Sequence, residues 1–288
     1  CMTSGQDGVE DGQERMRSTA LADGLLRDDV LRSVRYCEGY TDLLGPTTPV
    51  RRGLAQRAMR SPVVAAVYER VWRPIMVAIM RMHGISVSAE HEMASSALQI
   101  GGDQRVLDVG CGPGNFTAFF AEQLGGGGFV IGLDSSEPMM QRAVRDNSAE
   151  RAVYLRADAR SLPFNDCVFD VVSCFAALHL VPEPIEVLHE MVRVLSPGGR
   201  IAVMTTYGRE SVLLRKILER GAASCGVRVF DRTAITAFFA AVGLTDIEQQ
   251  LRGFSQFVTA RRPDQINEVD GWRSQPPGWG TEGTALGH

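Results

Sequence analysis

The segment Val106-Leu-Asp-Val-Gly-Cys-Gly-Pro-Gly-Asn115 constrains the fold more than any other part of the chain. A short apolar run ends in Asp108, passes into glycines at 110, 112 and 114, and continues into helix-forming residues from Asn115. Strand, glycine turn and helix in that order open a βαβ unit. The glycines let a ligand approach the loop backbone where a Cβ would block it, and such turns can require positive φ. The same alternation then repeats. Strands are predicted at Arg105 to Val109, Phe129 to Leu133, Ala152 to Leu155, Phe169 to Cys174 and Arg200 to Met204. Helices fall between them near Asn115 to Leu124, Met139 to Asn147 and Ile185 to Val194, the last closed by a Ser-Pro-Gly-Gly turn at 196–199. Two more helical stretches, near Ser211 to Cys225 and Thr233 to Val242, precede strand candidates Leu244 to Gln250 and Gln256 to Ala260. Short β-branched runs alternating with helices specify a buried, mostly parallel sheet, here of five strands closed by a hairpin.

Upstream, residues 1–48 are rich in Gly, Asp, Ser and Thr and are expected to be largely disordered. Residues 49–100 read as a helical preamble or lid. Ser61 caps and Pro62 opens a helix with Val64, Val67, Tyr68, Val71 and Trp72 at helical spacing; an apolar run then ends at Gly84, and a third stretch covers Ser88 to Leu98. Residues 101–262 hold the sheet, and the Pro/Gly-rich tail 263–288 is expected to be unstructured.

With 288 residues, 44% hydrophobic and 22% charged, the chain can bury a sizeable core without staples. A net charge of -4 and a sequence pI near 5.8 supply no global field for nucleic acid or anionic lipid. The six cysteines include no CxxC pair, which argues against a zinc ribbon or a disulfide framework and for a reducing, cytoplasmic setting. Neither a secretory pattern nor an apolar run long enough to span a membrane is seen, so no membrane span is expected.

Three acids bear on the ligand. The dinucleotide fingerprint is GxGxxG, whereas here Asn115 stands where its third glycine would fall. Asp108, beside the loop, would repel a pyrophosphate yet would stabilise a cationic group. S-adenosylmethionine carries both an ammonium and a sulfonium. Asp134 ends the next strand, 20 residues after Gly114, where a carboxylate accepts from ribose hydroxyls. Asp158 ends the third strand, where an acid can accept from an adenine amine while the next N–H reaches the ring. The fourth strand leads into Phe175-Ala-Ala-Leu-His179 at the sheet's carboxyl edge, where open α/β sheets bind ligands.

As an ordered series, LDVGCGPG, GLDSS with Met139, ADARSLPF, FDVVSCFAALHL and VLSPGG resemble the class I S-adenosylmethionine-dependent methyltransferases, and within them the ubiquinone/menaquinone-biosynthesis-like group. The resemblance spans about Gln99 to Ala260. It implies a doubly wound α/β fold with a seven-stranded mostly parallel sheet, Rossmann-like, under a helical N-terminal lid. It also implies that Asp108, Gly110 and Gly112 face the methionine part; Cys111 in the same loop is expected among the cofactor-binding residues, its thiol serving as a small space-filler rather than as a methyl acceptor. Asp134 then holds the ribose, Ser135 and Met139 flank the adenosine, Asp158 and Ala159 meet the adenine, and Phe175 to His179 form the transfer site. The segment from Gly39 to Leu44 with the helix RSPVVAAVYERVWRP is similar to plastid methyltransferases and their bacterial relatives.

The expected activity is methyl transfer to a small-molecule acceptor at O, C or N, such as a lipid, quinone or other secondary metabolite. An RNA base methyltransferase without its zinc ribbon, and a non-catalytic cofactor-binding homologue, stay open. His179 and Tyr207 are the candidates for a base; with Tyr68 and Trp72 they are the candidate acceptor-pocket residues, core packing being the competing role for each. No residues show metal-ligand spacing, so no metal is expected.

Overall fold

A computed structural model describes residues 24–30, 34–45, 87–208, 228–253 and 255–264. In chain order the described elements are β1 (Arg35–Cys37), β2 (Tyr40–Asp42), α1 (Val87–Leu98), β3 (Arg105–Val109), α2 (Asn115–Gln123), β4 (Phe129–Asp134), α3 (Glu137–Asp146), β5 (Ala152–Arg156) and β6 (Phe169–Phe175). A 3₁₀ turn at Leu178–Leu180 leads to α4 (Pro184–Val194), β7 (Leu195–Thr206), α5 (Ala234–Ala241), β8 (Thr245–Arg252) and β9 (Ser255–Arg261). One sheet takes all of these strands in the order β1-β2-β5-β4-β3-β6-β7-β9-β8. The run β2 to β7 is parallel, and β1, β9 and β8 pair antiparallel with their neighbours.

The sheet is doubly wound because side chains alternate along each strand and both faces are covered. Leu107, Ile131, Val153, Val172 and Val203 belong to the core shared with Leu188 and Met191 of α4 and Phe238 and Phe239 of α5. Their neighbours Val106, Val130, Tyr154, Val171 and Ala202 pack with Leu98 of α1, Phe120 of α2 and Met140 of α3. On α4, Val187, Leu188, Met191 and Val194 recur at helical spacing and are buried.

Apart from β7, the element ends agree with the sequence reading to within two residues. Two expectations change. Among the described residues the sheet has nine strands where seven were expected, because residues 34–45 supply β1 and β2 as an antiparallel pair on its edge. The Ser-Pro-Gly-Gly segment is not a free turn before a strand at Arg200 but lies inside β7. Leu195 pairs with Phe169 and Arg200 with Val171, so the intervening residues bulge, and the amide of Gly198 donates to the Arg262 carbonyl at 3.0 Å. Upstream, Leu25 and Leu26 are buried, and Leu26 bridges Phe164. The predicted helices before residue 87 and the stretch near Ser211 to Cys225 lie outside the described residues. Among the described residues, no helix is long and apolar enough to cross a membrane.

Candidate donor and acceptor site

Register places the sequence-predicted residues along one edge. Asp108 lies opposite Gly132 on one side and Ser173 on the other, Asp134 opposite Arg156, and Phe175 opposite Met204. The glycine loop is tied down over the end of β4. The amides of Gly110 and Cys111 both donate to the Leu133 carbonyl, at 2.7 and 3.0 Å, and the Gly112 amide donates to the Asp134 carboxylate at 3.0 Å. Gly110, Gly112 and Gly114 have φ of 69, 55 and 82°, where a side chain is strained. A Cβ on Gly110 would overlap that of Ala177, whereas one on Gly112 would meet nothing within 4 Å. The loop therefore packs closely against the exit of β6 and keeps open room at Gly112.

Asp134 is oriented from both sides, its second oxygen accepting the Ser136 amide at 2.8 Å. Burial raises its pKa above the ordinary aspartate value, against the pull of the backbone amides it accepts. The hydroxyl oxygen of Ser136 is buried without a hydrogen-bond partner, as are Nδ1 of His179 and the hydroxyl oxygen of Thr205. Orphaned polar atoms are costly, and two of these stand in the predicted site: Ser136 beside Asp134, and His179 in the transfer loop. Ser135 is exposed, while Met139 is buried on α3.

Asp108 sits deeper, 2% exposed, accepting from the Thr117 hydroxyl at 2.7 Å and the Ser173 hydroxyl at 3.1 Å. Burial pushes its pKa up to about 6; the two hydroxyls pull against this and the Asp134 charge adds to it. Thr117 and Ser173 were not foreseen, since hydroxyls on a helix and a strand carry no signal until register sets them around one carboxylate. Nor was Arg160 foreseen. It clamps Asp158 through Nε at 3.0 Å and Nη2 at 2.6 Å, and its Nη1 reaches Glu183 at 2.7 Å, joining the predicted adenine loop to the start of α4. Ala159 is half-buried against the α4-side core.

At the exit of β6, Phe175 is buried with its ring 4.7 Å from Phe116 and 5.8 Å from Phe257. Ala176 follows at φ 54°, an uncommon conformation for a non-glycine residue. His179 is buried, and this alone lowers its pKa to about 4, leaving a neutral imidazole at physiological pH. Its carbonyl accepts the Arg228 amide at 2.8 Å, and Tyr207 bridges Phe230, so one segment anchors both candidates. Tyr68 and Trp72 lie outside the described residues. Beyond Phe175, a shallow surface depression at the carboxyl end of β7 is lined by the apolar Met93, Met204 and Phe257 and by the polar Glu90, Gln250, Arg252 and Ser255. Among the described residues no three of His, Cys, Asp or Glu converge as a metal would need.

The family described as a methyltransferase domain matches residues 107–203. A demethylmenaquinone methyltransferase of Lactobacillus johnsonii is 30% identical over 172 residues, which cover 58% of this chain and 67% of that one. The chain belongs to the class I S-adenosylmethionine-dependent methyltransferases. Within that family, an uncharacterized chloroplastic methyltransferase of Arabidopsis thaliana is 35% identical over 216 residues, 71% of this chain; the chain spans 59% of its length. The fold is also that of an S-adenosylmethionine-dependent methyltransferase structure from Mesorhizobium loti, with TM-score 0.50 and 23% identity over 59% of this chain and 96% of that one.

Proposed function

We propose that the protein transfers a methyl group from S-adenosylmethionine to a small molecule with an apolar body. The observation that carries this is the pairing of Asp134, held by the amides of Gly112 and Ser136, with open room at Gly112 and an orphaned Ser136 hydroxyl beside it. That set fits an adenosine: a fixed carboxylate for the ribose hydroxyls, a loop without side chains, and an unused hydroxyl. When bound, S-adenosylmethionine supplies a methyl group already activated on a sulfonium, so no covalent enzyme intermediate is needed. Asp134 would orient the ribose, Asp108 would complement the cationic end, and the Phe116, Phe175 and Phe257 rings would keep water from the transfer site.

The name of the Lactobacillus johnsonii relative supports a quinone-like acceptor. With a pKa near 4, the imidazole of His179 is a weak base towards a phenol, so its unpartnered Nδ1 is assigned to holding the acceptor by a hydrogen bond. The free cysteines Cys37, Cys111, Cys167 and Cys174 support a reducing, cytoplasmic setting.

Asp134→Ala is expected to weaken S-adenosylhomocysteine binding by about 1–3 kcal/mol, roughly 5- to 150-fold, because it strands the ribose hydroxyls. Calorimetric titration checks this, and unchanged affinity overturns the ribose assignment. No binding of S-adenosylmethionine to folded wild-type protein would overturn the function as a whole.

The raised pKa of Asp108 sets a pH dependence. Its charge is present above about pH 6 and is lost as the pH falls through that value. Affinity for S-adenosylhomocysteine, which keeps the ammonium, should be level above pH 6 and fall by up to about tenfold per unit below it. Binding of 5′-methylthioadenosine, which has no ammonium, should not share that slope. Equal slopes for the two ligands would remove Asp108 from the methionine end.

A further inference from the structure

We propose that the ion pair between Asp42 and Arg156 is a positioning strut for the donor site, making the β1–β2 hairpin a working part of it. The inference rests on the assignment of Asp134 to the ribose. The guanidinium of Arg156 is 1% exposed and the Asp42 side chain 8%, with Nη1 of the first 2.9 Å from a carboxylate oxygen of the second. The same Nη1 donates to the Gly45 carbonyl at 3.0 Å, and Nε donates to the Ser135 carbonyl at 3.3 Å. The other Asp42 oxygen accepts the amides of Leu44 and Gly45 at 2.9 and 3.2 Å.

Register explains why these contacts converge. Asp42 lies opposite Arg156 across β2 and β5, and Arg156 opposite Asp134 across β5 and β4, so the three stand in one lateral row at the carboxyl edge. Ser135 is the residue between Asp134 and the Ser136 amide that Asp134 accepts. The arginine therefore holds the turn that orients the ribose acid. A guanidinium cannot shed its charge on burial, so its own place depends on the hairpin carboxylate. A pair that only fastened the hairpin would need no third contact at Ser135.

The test titrates wild-type protein and Asp42→Asn with S-adenosylhomocysteine and with its 2′-deoxy analogue. Wild-type protein should favour the ribose ligand several-fold. Asp42→Asn should weaken the ribose ligand by about tenfold and the deoxy ligand much less, so that the discrimination collapses. With S-adenosylmethionine and an acceptor, KM for the donor should rise while kcat is kept. Equal weakening of both ligands, or none, overturns the strut and leaves a fold staple. If Asp42→Asn does not fold, Arg156→Lys is read in the same way, since an ammonium can face Asp42 without also reaching Ser135. Wild-type protein that binds S-adenosylhomocysteine but does not discriminate overturns the ribose assignment of Asp134, and the strut with it.

Discussion

Replacing Arg156 by methionine is expected to destabilise the protein by about 3–5 kcal/mol, because breaking a buried ion pair leaves an uncompensated charge. Asp42 would keep only the amides of Leu44 and Gly45, which it already accepts, and nothing would replace the guanidinium. Urea denaturation at equilibrium reads this as a lower midpoint with the slope unchanged. Replacing both partners together, with Asp42→Leu beside Arg156→Met, should recover most of the loss, since no charge is then buried. A single variant that loses under about 1 kcal/mol, the value of an exposed pair, would mean that the hairpin moves aside and lets water reach Asp42.

Gly110→Ala is expected to weaken donor binding by on the order of 100-fold or more. The left-handed φ of 69° costs an L-residue about 1–2 kcal/mol, and the new methyl also overlaps Ala177. Ala177 cannot yield easily: Ala176 before it already has φ 54°, and its amide is bonded to the Met204 carbonyl at 2.9 Å. The loop has to shift instead, which disturbs the Gly110 and Cys111 amides on Leu133 and, through Gly112, the orientation of Asp134. Titration with S-adenosylhomocysteine measures the loss, and circular dichroism shows whether the fold survives. Adding Ala177→Gly should restore part of the affinity by removing the overlap and leaving the φ strain. No restoration would assign the whole effect to backbone strain.

Most of the central sheet was legible because its strands are short β-branched runs bounded by turn residues, and a parallel strand buried on both faces has few ways to be written. The loop and its acids were legible for a related reason: Asp108, Asp134 and Asp158 each end an apolar run, so their place at the carboxyl edge follows from strand direction. What each carboxylate touches did not follow. Asp108 needed Thr117 and Ser173 from two other elements, and Asp158 is clamped by Arg160, which in sequence is only a charged residue in a loop. The neutral state of His179 comes from burial, which a lone histidine among apolar residues does not reveal.

The edge hairpin marks the division most clearly. β1 and β2 are three residues each, too short to show a period of two, and although Tyr40 to Leu44 carries some apolar content, the surrounding composition reads the segment as largely disordered. Their place depends on pairing β2 with β5, and the ion pair joins residues 114 apart in the chain. Local pattern specifies which segments become strands and where ligand-facing loops fall, since both are set by neighbours within a few residues. Which distant groups meet, and so which charges are neutralised and which polar atoms stay open for a ligand, is decided only when the sheet closes in register.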